Sequence, residues 1–463
     1  MTDQKKTSDG GLGGFFIRLG DKLLALSLKY MPDPTIFAVL FTFLAFALGL
    51  FLAHQGPMQM VTNWYKGLWE LLAFSMQMCL IIVTGSAIAN APACKKVLRR
   101  LAAVPKTGRQ AVFMIAFLSI LIHFVHWGLG LVVASLFAVE CARSLRARNI
   151  PFQYGLFGAA AYLGQMTWHG GLSASVGLSI AEPGHIMEDM IGVIPMSEYL
   201  FNPMNIVVSI ALLFLPPLFA AILHPAPENV TPLEEGALAV LDRPDSEIRT
   251  MPANPSVGDR LNYSRVLAYA LCALGLVYIV YHFATKGFSL DMNVLNTAFM
   301  FIGILLYGNI ANYVDAIKNA VGGISGIVFQ FPLYAGILGM VKYSGLVNIL
   351  SDAIVNISTP ATFYVLTFLI AALINMFIPS GGGQWAVQGP IAMQSAINMN
   401  ASVLKTSLCV AYGNTWTNMA QPFWAIALLG VTGLKAKDIM GYCIGIMLMS
   451  GLIFLIGTGF LPV

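Results

Sequence analysis

Pro379-Ser380-Gly381-Gly382-Gly383-Gln384-Trp385 interrupts a long apolar stretch at its middle. Lipid does not tolerate a polar, glycine-rich knot unless protein buries it or it lines a water-filled cavity. About 250 positions earlier, His126-Trp127-Gly128-Leu129-Gly130 occupies a similar place between apolar arms of similar length. Paired interruptions in corresponding places of two halves are the sequence mark of a carrier whose site lies at membrane depth.

Composition sets the class. The 463 residues are 57% hydrophobic and 10% charged, with a net charge of +4 and a mean hydropathy of +0.76, and apolar windows of membrane-spanning length recur. This is an all-α polytopic membrane protein rather than a soluble enzyme. Six cysteines fall mostly in apolar segments without CxxC spacing, so they read as packing residues, with no disulfide and no metal site. No phosphate loop, HExxH, catalytic triad spacing or nucleic-acid-binding patch occurs.

The distribution of Lys and Arg orients the chain. Residues 1–33 form a basic, partly amphipathic segment on the cytoplasmic side. Spans at about 34–54 and 69–92 lead to a loop carrying Lys95, Lys96, Arg99, Arg100, Lys106 and Arg109. A second basic cluster, Arg143, Arg146 and Arg148, closes residues 110–142. Both flanks then lie on one side, and arms of about 13 to 15 residues, roughly 20 Å of helix, are short for a crossing. Residues 110–142 thus read as a re-entrant hairpin with His126–Gly130 at its tip.

A broken helix at 151–181 follows, unwound around Thr167-Trp168-His169-Gly170-Gly171-Leu172-Ser173-Ala174-Ser175, and a span at 201–223 completes a first repeat over 34–223. Residues 224–285 are a polar cytoplasmic linker and one connecting span, which inverts what comes after. The second repeat, 286–463, has spans at 290–308 and 322–341, a hairpin at 361–398, a broken helix at 403–432 centred on Gly413-Asn414-Thr415-Trp416-Thr417-Asn418, and a last span ending near 460. The expected architecture is two inverted-topology repeats with about nine transmembrane helices, two re-entrant hairpins and two broken helices. Short matches keep the same order in both halves, Ser75–Met78 with Val328–Phe331 and Ala161-Tyr162 with Ala411-Tyr412.

The four interruptions carry Ser, Thr, Asn, Gln, Gly, Trp and His, but no Lys, Arg, Asp or Glu. Helix N-termini and close backbone N–H groups can hold a carboxylate without a formal cation. The candidate substrate and ion site is His126, Trp127, Gly128 and Gly130; Thr167, Trp168, His169, Gly170, Gly171, Ser173 and Ser175; Ser380, Gly381, Gly382, Gly383, Gln384, Trp385 and Gln388; and Asn414, Thr415, Trp416, Asn418 and Gln421. Hydroxyl and carboxamide oxygens there suit Na⁺ near the hairpin tips, and the histidines suit H⁺. The competing reading is structural, because membrane glycines often serve close packing and Ser or Thr often bonds its own helix. Glu70 and Glu140 lie near span ends, where an interfacial role competes with coupling.

Pro32-Asp33-Pro34, Leu72–Met78, Trp127–Val133, Pro379–Trp385 with Gln388-Gly389-Pro390, and Asn418-Met419-Ala420-Gln421-Pro422-Phe423-Trp424 resemble the bacterial short-chain fatty acid transporter family, the AtoE type, from about residue 15 onward. The resemblance implies uptake of a short-chain monocarboxylate such as butyrate or acetoacetate by symport with H⁺ or Na⁺. It also implies the bacterial inner membrane, membership of a wider ion-transporter superfamily, homodimers and an elevator motion. With the N-terminus cytoplasmic, the trace puts the C-terminus in the periplasm. Departures from the family pattern fall at His126, His169, Gln384 and Asn414-Thr415, all within the interruptions. Two alternatives are a cation/proton or carboxylate exchanger and, in another class, an intramembrane enzyme or channel. No mid-span acid favours proton exchange, and neither a nucleophile-base pair nor a charged ring favours the second.

Overall fold

The computed structural model describes residues 34–242, 249–287, 290–376, 378 and 380–463. The expected amphipathic segment at 14–30 lies outside these, as do Arg243 and Pro379. All regular structure among the described residues is helical. The first part of the chain forms α1 (Pro34–Phe51), α2 (Pro57–Gly67), α3 (Leu72–Ala89), α4 (Pro92–Ala102), α5 (Gly108–Val125), α6 (Trp127–Ala147), α7 (Tyr154–Tyr162), α8 (Ser175–Ala181), α9 (Glu188–Ile191), α10 (Met196–Phe201) and α11 (Pro203–Ile222). The linker holds α12 (Glu235–Leu241), α13 (Val257–Asn262) and α14 (Arg265–Lys286). The remainder forms α15 (Met292–Tyr307), α16 (Ile310–Ala320), α17 (Ser325–Tyr343), α18 (Leu346–Ile357), α19 (Phe363–Asn375), α20 (Gly381–Asn398), α21 (Val403–Asn418), α22 (Pro422–Thr432) and α23 (Ala436–Phe460).

Among the described residues, seven helical stretches are long and apolar enough to cross a membrane. They include α5 and α6, of 18 and 21 residues. This corrects the expectation of short arms: helix continues into both basic clusters, starting at the Thr107 cap, which accepts from Gln110 N at 3.2 Å. The basic stretch at 95–102 is also helical, as α4. Four short helices, α2, α4, α16 and α18, occupy places where the sequence suggested loops or span ends. Pro at N1 starts α2 and α4, its missing N–H costing nothing where no partner exists.

The interruptions are tighter than expected. At the first knot only His126 leaves helical geometry (φ −158°, ψ 114°), and Trp127–Gly130 already belong to α6. Ser380 has nearly the same conformation (φ −148°, ψ 116°), and the three glycines form the first turn of α20. The second broken helix is displaced from its expected place: Gly413–Asn418 is helical, and the break falls at Met419–Gln421, between α21 and the Pro422 that starts α22. Glycine and amide content suggested unwinding at 413–418, but Gly413 serves close packing there, its face against the Phe368 backbone of α19. Among the four interruptions, the longest departure from α-helix is 163–174, with short 3-10 turns at Leu163–Met166 and Trp168–Gly170.

Glu70 and Glu140 take structural partners. Glu70 accepts from the Tyr343 hydroxyl and lies 3.9 Å from Lys342, tying the α2–α3 junction to the end of α17. Glu140 pairs with Arg143 at 3.0 Å and with Arg99 at 3.4 Å.

Candidate functional site

The starts of α6 and α20 are each capped by the side chain just before them. His126 Nδ1 accepts from Leu129 N at 3.1 Å, so in the neutral ring Nε2 carries the proton. The ring stacks on Phe299 with centroids 4.1 Å apart. Ser380 Oγ accepts from Gly383 N at 3.2 Å, which leaves the hydroxyl hydrogen free to donate elsewhere. Gly381 is required by close approach, since a Cβ there would collide with His169, Trp168 and Ser175.

The unwound stretch after α7 is supported from several elements, as buried non-helical backbone demands. Tyr199 donates to His169 O at 2.9 Å. Asn205 Nδ2 donates to Gly170 O at 2.9 Å, and Tyr412 donates to Asn205 Oδ1 at 2.7 Å. Leu172 N donates to Phe124 O at 2.7 Å, and Ser173 Oγ accepts from Trp127 N at 2.9 Å. The last two contacts lash the unwound stretch to the junction of α5 and α6. Across the molecule, the Tyr162 hydroxyl sits 3.0 Å from both Asn418 O and Gln421 O, so the end of α7 holds the second break.

These pieces enclose a cavity of about 20 Å³ to which all four interruptions contribute. Its polar wall has Trp127 at the start of α6, Gln165 and Trp168 from the unwound stretch, Ser380 and Gly381 at the start of α20, and Asn418 and Trp424 on either side of the second break. Its apolar wall is Met78 of α3 with Ile327 and Phe331 of α17. Trp127 packs between Trp168, at 5.6 Å, and Trp424, at 5.7 Å between ring centroids. No charged side chain lines the cavity among the described residues. Instead α6, α20 and α22 begin beside it, each N-terminus bringing roughly half a positive charge. The indole Nε1 atoms of Trp127 and Trp168 are buried without a hydrogen-bond partner. An unmet buried donor costs roughly 1–3 kcal/mol, a cost that an anion accepting from it would remove.

Over residues 15–461 the chain matches the family model described as short chain fatty acid transporter. The chain belongs to the short-chain fatty acid transporter family. Two relatives bear that family's name: one of Escherichia coli, 41% identical over 93% of this chain and 96% of its own length, and one of Haemophilus influenzae, 37% identical over 94% and 97%. In fold the transporter is similar to the crystal structure of the Alcanivorax borkumensis YdaH transporter, with a TM-score of 0.55, 16% identity, and 92% of this chain and 97% of that one covered. With its apolar helices, the transporter is a multi-pass membrane protein.

Beside the start of α20 lies a chain of carboxamides. Asn414 Nδ2 donates to Asn375 Oδ1 at 2.7 Å and to Gln384 Oε1 at 2.8 Å. Gln384 Nε2 donates to Gln388 Oε1 at 2.7 Å, and Gln421 Nε2 to Asn375 O at 2.6 Å. Asn375 Nδ2 reaches Asn418 Oδ1 at 2.9 Å, which joins the chain to the cavity wall. Asn414 Oδ1 and Gln421 Oε1 are buried and lack partners.

Other candidate residues sit differently. Thr415 bonds its own helix at Ala411 O and Tyr412 O, both 3.2 Å. Trp416 donates to Met447 O at 2.6 Å and stacks near Phe368, and Trp385 packs on Gly389; neither lines the cavity. Thr167 bonds Gly164 O at 2.9 Å, and Ser175 bonds His169 Nε2 at 3.2 Å. Gly128 and Gly130 let α3 and His123 approach α6, and Gly170, Gly171, Gly382 and Gly383 face Asn205, Phe124, Phe74 and Tyr334. Gln165, Trp424, Met78, Ile327, Phe331 and Asn375 were not among the site residues expected from sequence. Trp424 and Met78 lie in the family strings and Phe331 in the repeat match; Gln165, Ile327 and Asn375 had no local signal.

Proposed function

We propose that this transporter imports short-chain monocarboxylates such as butyrate or acetoacetate across the bacterial inner membrane, in symport with Na⁺. The observation that carries the reading is the cavity where three helix N-termini and two partnerless indole N–H groups meet an apolar wall. The carboxylate accepts from Trp127, Trp168 and the Ser380 hydroxyl, while its short tail lies against Met78, Ile327 and Phe331. A held anion without a formal cation also leaves readily, as turnover requires. The names of the two relatives agree with this substrate class.

Na⁺ is favoured over H⁺ by the carboxamide chain, in which Asn414 Oδ1 and Gln421 Oε1 are buried acceptors without donors. Hard cations take such oxygens. Two repeats of opposite topology account for the element order: α1–α4, a helix pair, a broken helix and a final span recur as α15–α18, α19–α20, α21–α22 and α23. A cavity of about 20 Å³ is just large enough for one water. A carboxylate of several heavy atoms therefore requires its walls to part, which fits a hairpin-bearing body moving against α3 and α17 in an elevator manner within a homodimer. The N-terminus is cytoplasmic and the C-terminus periplasmic.

Counterflow of radiolabelled butyrate and acetoacetate in proteoliposomes tests the reading, with Na⁺ and pH gradients imposed separately. Accumulation driven by Na⁺ at constant pH is expected. Drive by pH alone would replace Na⁺ with H⁺, and no uptake of any two- to six-carbon acid by folded protein would refute the import hypothesis.

A further inference from the structure

Away from the central cavity, a much larger cleft of about 910 Å³ opens between α4 and α16. On α4 the sequence Lys95-Lys96 and Arg99-Arg100 repeats at a spacing of four, which places all four cations along one side of the helix. Leu98 and Ala102 are buried, so this short helix lies on the protein with its basic side toward the cleft. Lys318 of α16 and Arg249 of the linker supply two more cations, and Asp315 is the one carboxylate in the lining.

That carboxylate is already engaged, 3.2 Å from Arg249 and 3.9 Å from Lys318. Arg99 pairs with Glu140 outside the cleft. Lys96 and Arg100 have no ion-pair partner among the described residues. A bias of cations to one side of the membrane accounts for their presence there, but not for six of them lining one concavity that holds a single carboxylate, with Lys96 and Arg100 left to repel each other and their neighbours. The amides of Asn312 and Asn319 add neutral donors, and Tyr307, fixed by a 2.9 Å bond to Ala87 O, adds a wall.

We propose that this cleft binds a phosphate-bearing anion. A phosphate group brings more than one negative charge and several acceptor oxygens, which arginine forks and lysine ammonium groups match. The volume accommodates an anion of headgroup or nucleotide size. Bound there, it joins α4 to α16 and so fastens the first part of the chain to the second. This site does not depend on the carboxylate reading of the central cavity.

The test uses the full chain in phosphatidylcholine nanodiscs. One arm adds phosphatidylglycerol to the disc, and the other titrates inorganic pyrophosphate; both follow the thermal unfolding midpoint. The wild type is expected to show a saturable rise in at least one arm, reduced at higher salt. Lys96→Gln/Arg100→Gln should need about thirtyfold more ligand, as expected for two cations near a surface, while Arg265→Gln, outside the cleft, responds as wild type. A rise only with phosphatidylglycerol identifies a lipid headgroup, and a rise only with pyrophosphate identifies a soluble anion. No rise in either arm, or equal responses of wild type and double variant, overturns the proposal. If the double variant does not fold, Lys318→Gln on the opposite wall gives the same comparison.

Discussion

Single atoms separate contact from packing in this site. Trp127 and Trp385 both bury an indole N–H without a partner, yet only Trp127 lines the cavity. A hydrogen bond to a charged group contributes roughly 1.5–3 kcal/mol, so Trp127→Phe should weaken butyrate binding about tenfold or more, whereas Trp385→Phe leaves it near wild type. Equal losses in an equilibrium binding assay would make both indoles packing groups. Likewise Ser380→Ala removes a helix cap, worth about 1 kcal/mol, together with a cavity-facing hydroxyl. Asn414→Ala breaks bonds to Asn375 and Gln384, while the Ser135 hydroxyl merely bonds Leu131 O of its own helix. Substrate affinity should therefore fall in the first two variants and hold in Ser135→Ala. The sequence marked Ser380 and Trp127 because caps and breaks are local; it could not separate Trp127 from Trp416, whose N–H is taken by Met447 O.

Among elements, the division of labour runs between helix starts and helix flanks. α6, α20 and α22 present their N-termini to the cavity, and α3 and α17 present side chains from one flank. Tail length should accordingly be read by α3 and α17. Phe331→Ala is expected to raise kcat/KM for hexanoate relative to butyrate while leaving acetate little changed, measured by competition for uptake. A uniform fall for all three acids would place Phe331 in packing alone. Both α3 and α17 are apolar around most of their circumference, so no stripe in the sequence announced which side faces the site. The misplaced second break has a related cause. Gly413 and its amide neighbours have a composition that suits either unwinding or close packing, and the approach of α19 decided for packing.

At the scale of the molecule, the linker binds the two halves together. Glu234 receives Lys435 at 2.7 Å and Lys437 at 3.1 Å, and Arg143 donates to Val240 O and Leu241 O. The hydrogen bonds from Lys435 and Lys437 hold the Glu234 carboxyl below its ordinary range. Its contribution to stability is thus fully present above the unfolded carboxyl pKa and is lost as pH falls through the lower folded value. The midpoint temperature of wild type minus that of Glu234→Gln should be positive but small at neutral pH, as befits an exposed pair, and should vanish in acid. A difference that grows on acidification contradicts the assignment.

What the sequence determined by itself was the membrane class, the helical character and some helix starts, such as those at Trp127 and Gly381, because hydropathy, proline and capping chemistry act over a few neighbouring residues. It also marked the family, through strings such as Pro379–Trp385 and Asn418–Trp424. Only the tertiary structure decided that Gln165, Met78, Phe331 and Asn418 share one cavity, and that Thr415 and Trp416 turn elsewhere. The rotation of a helix about its axis is set by partners hundreds of residues away, as Tyr162 is by Asn418 and Gln421. Where a helix is apolar on every side, nothing within it selects the face that meets the ligand.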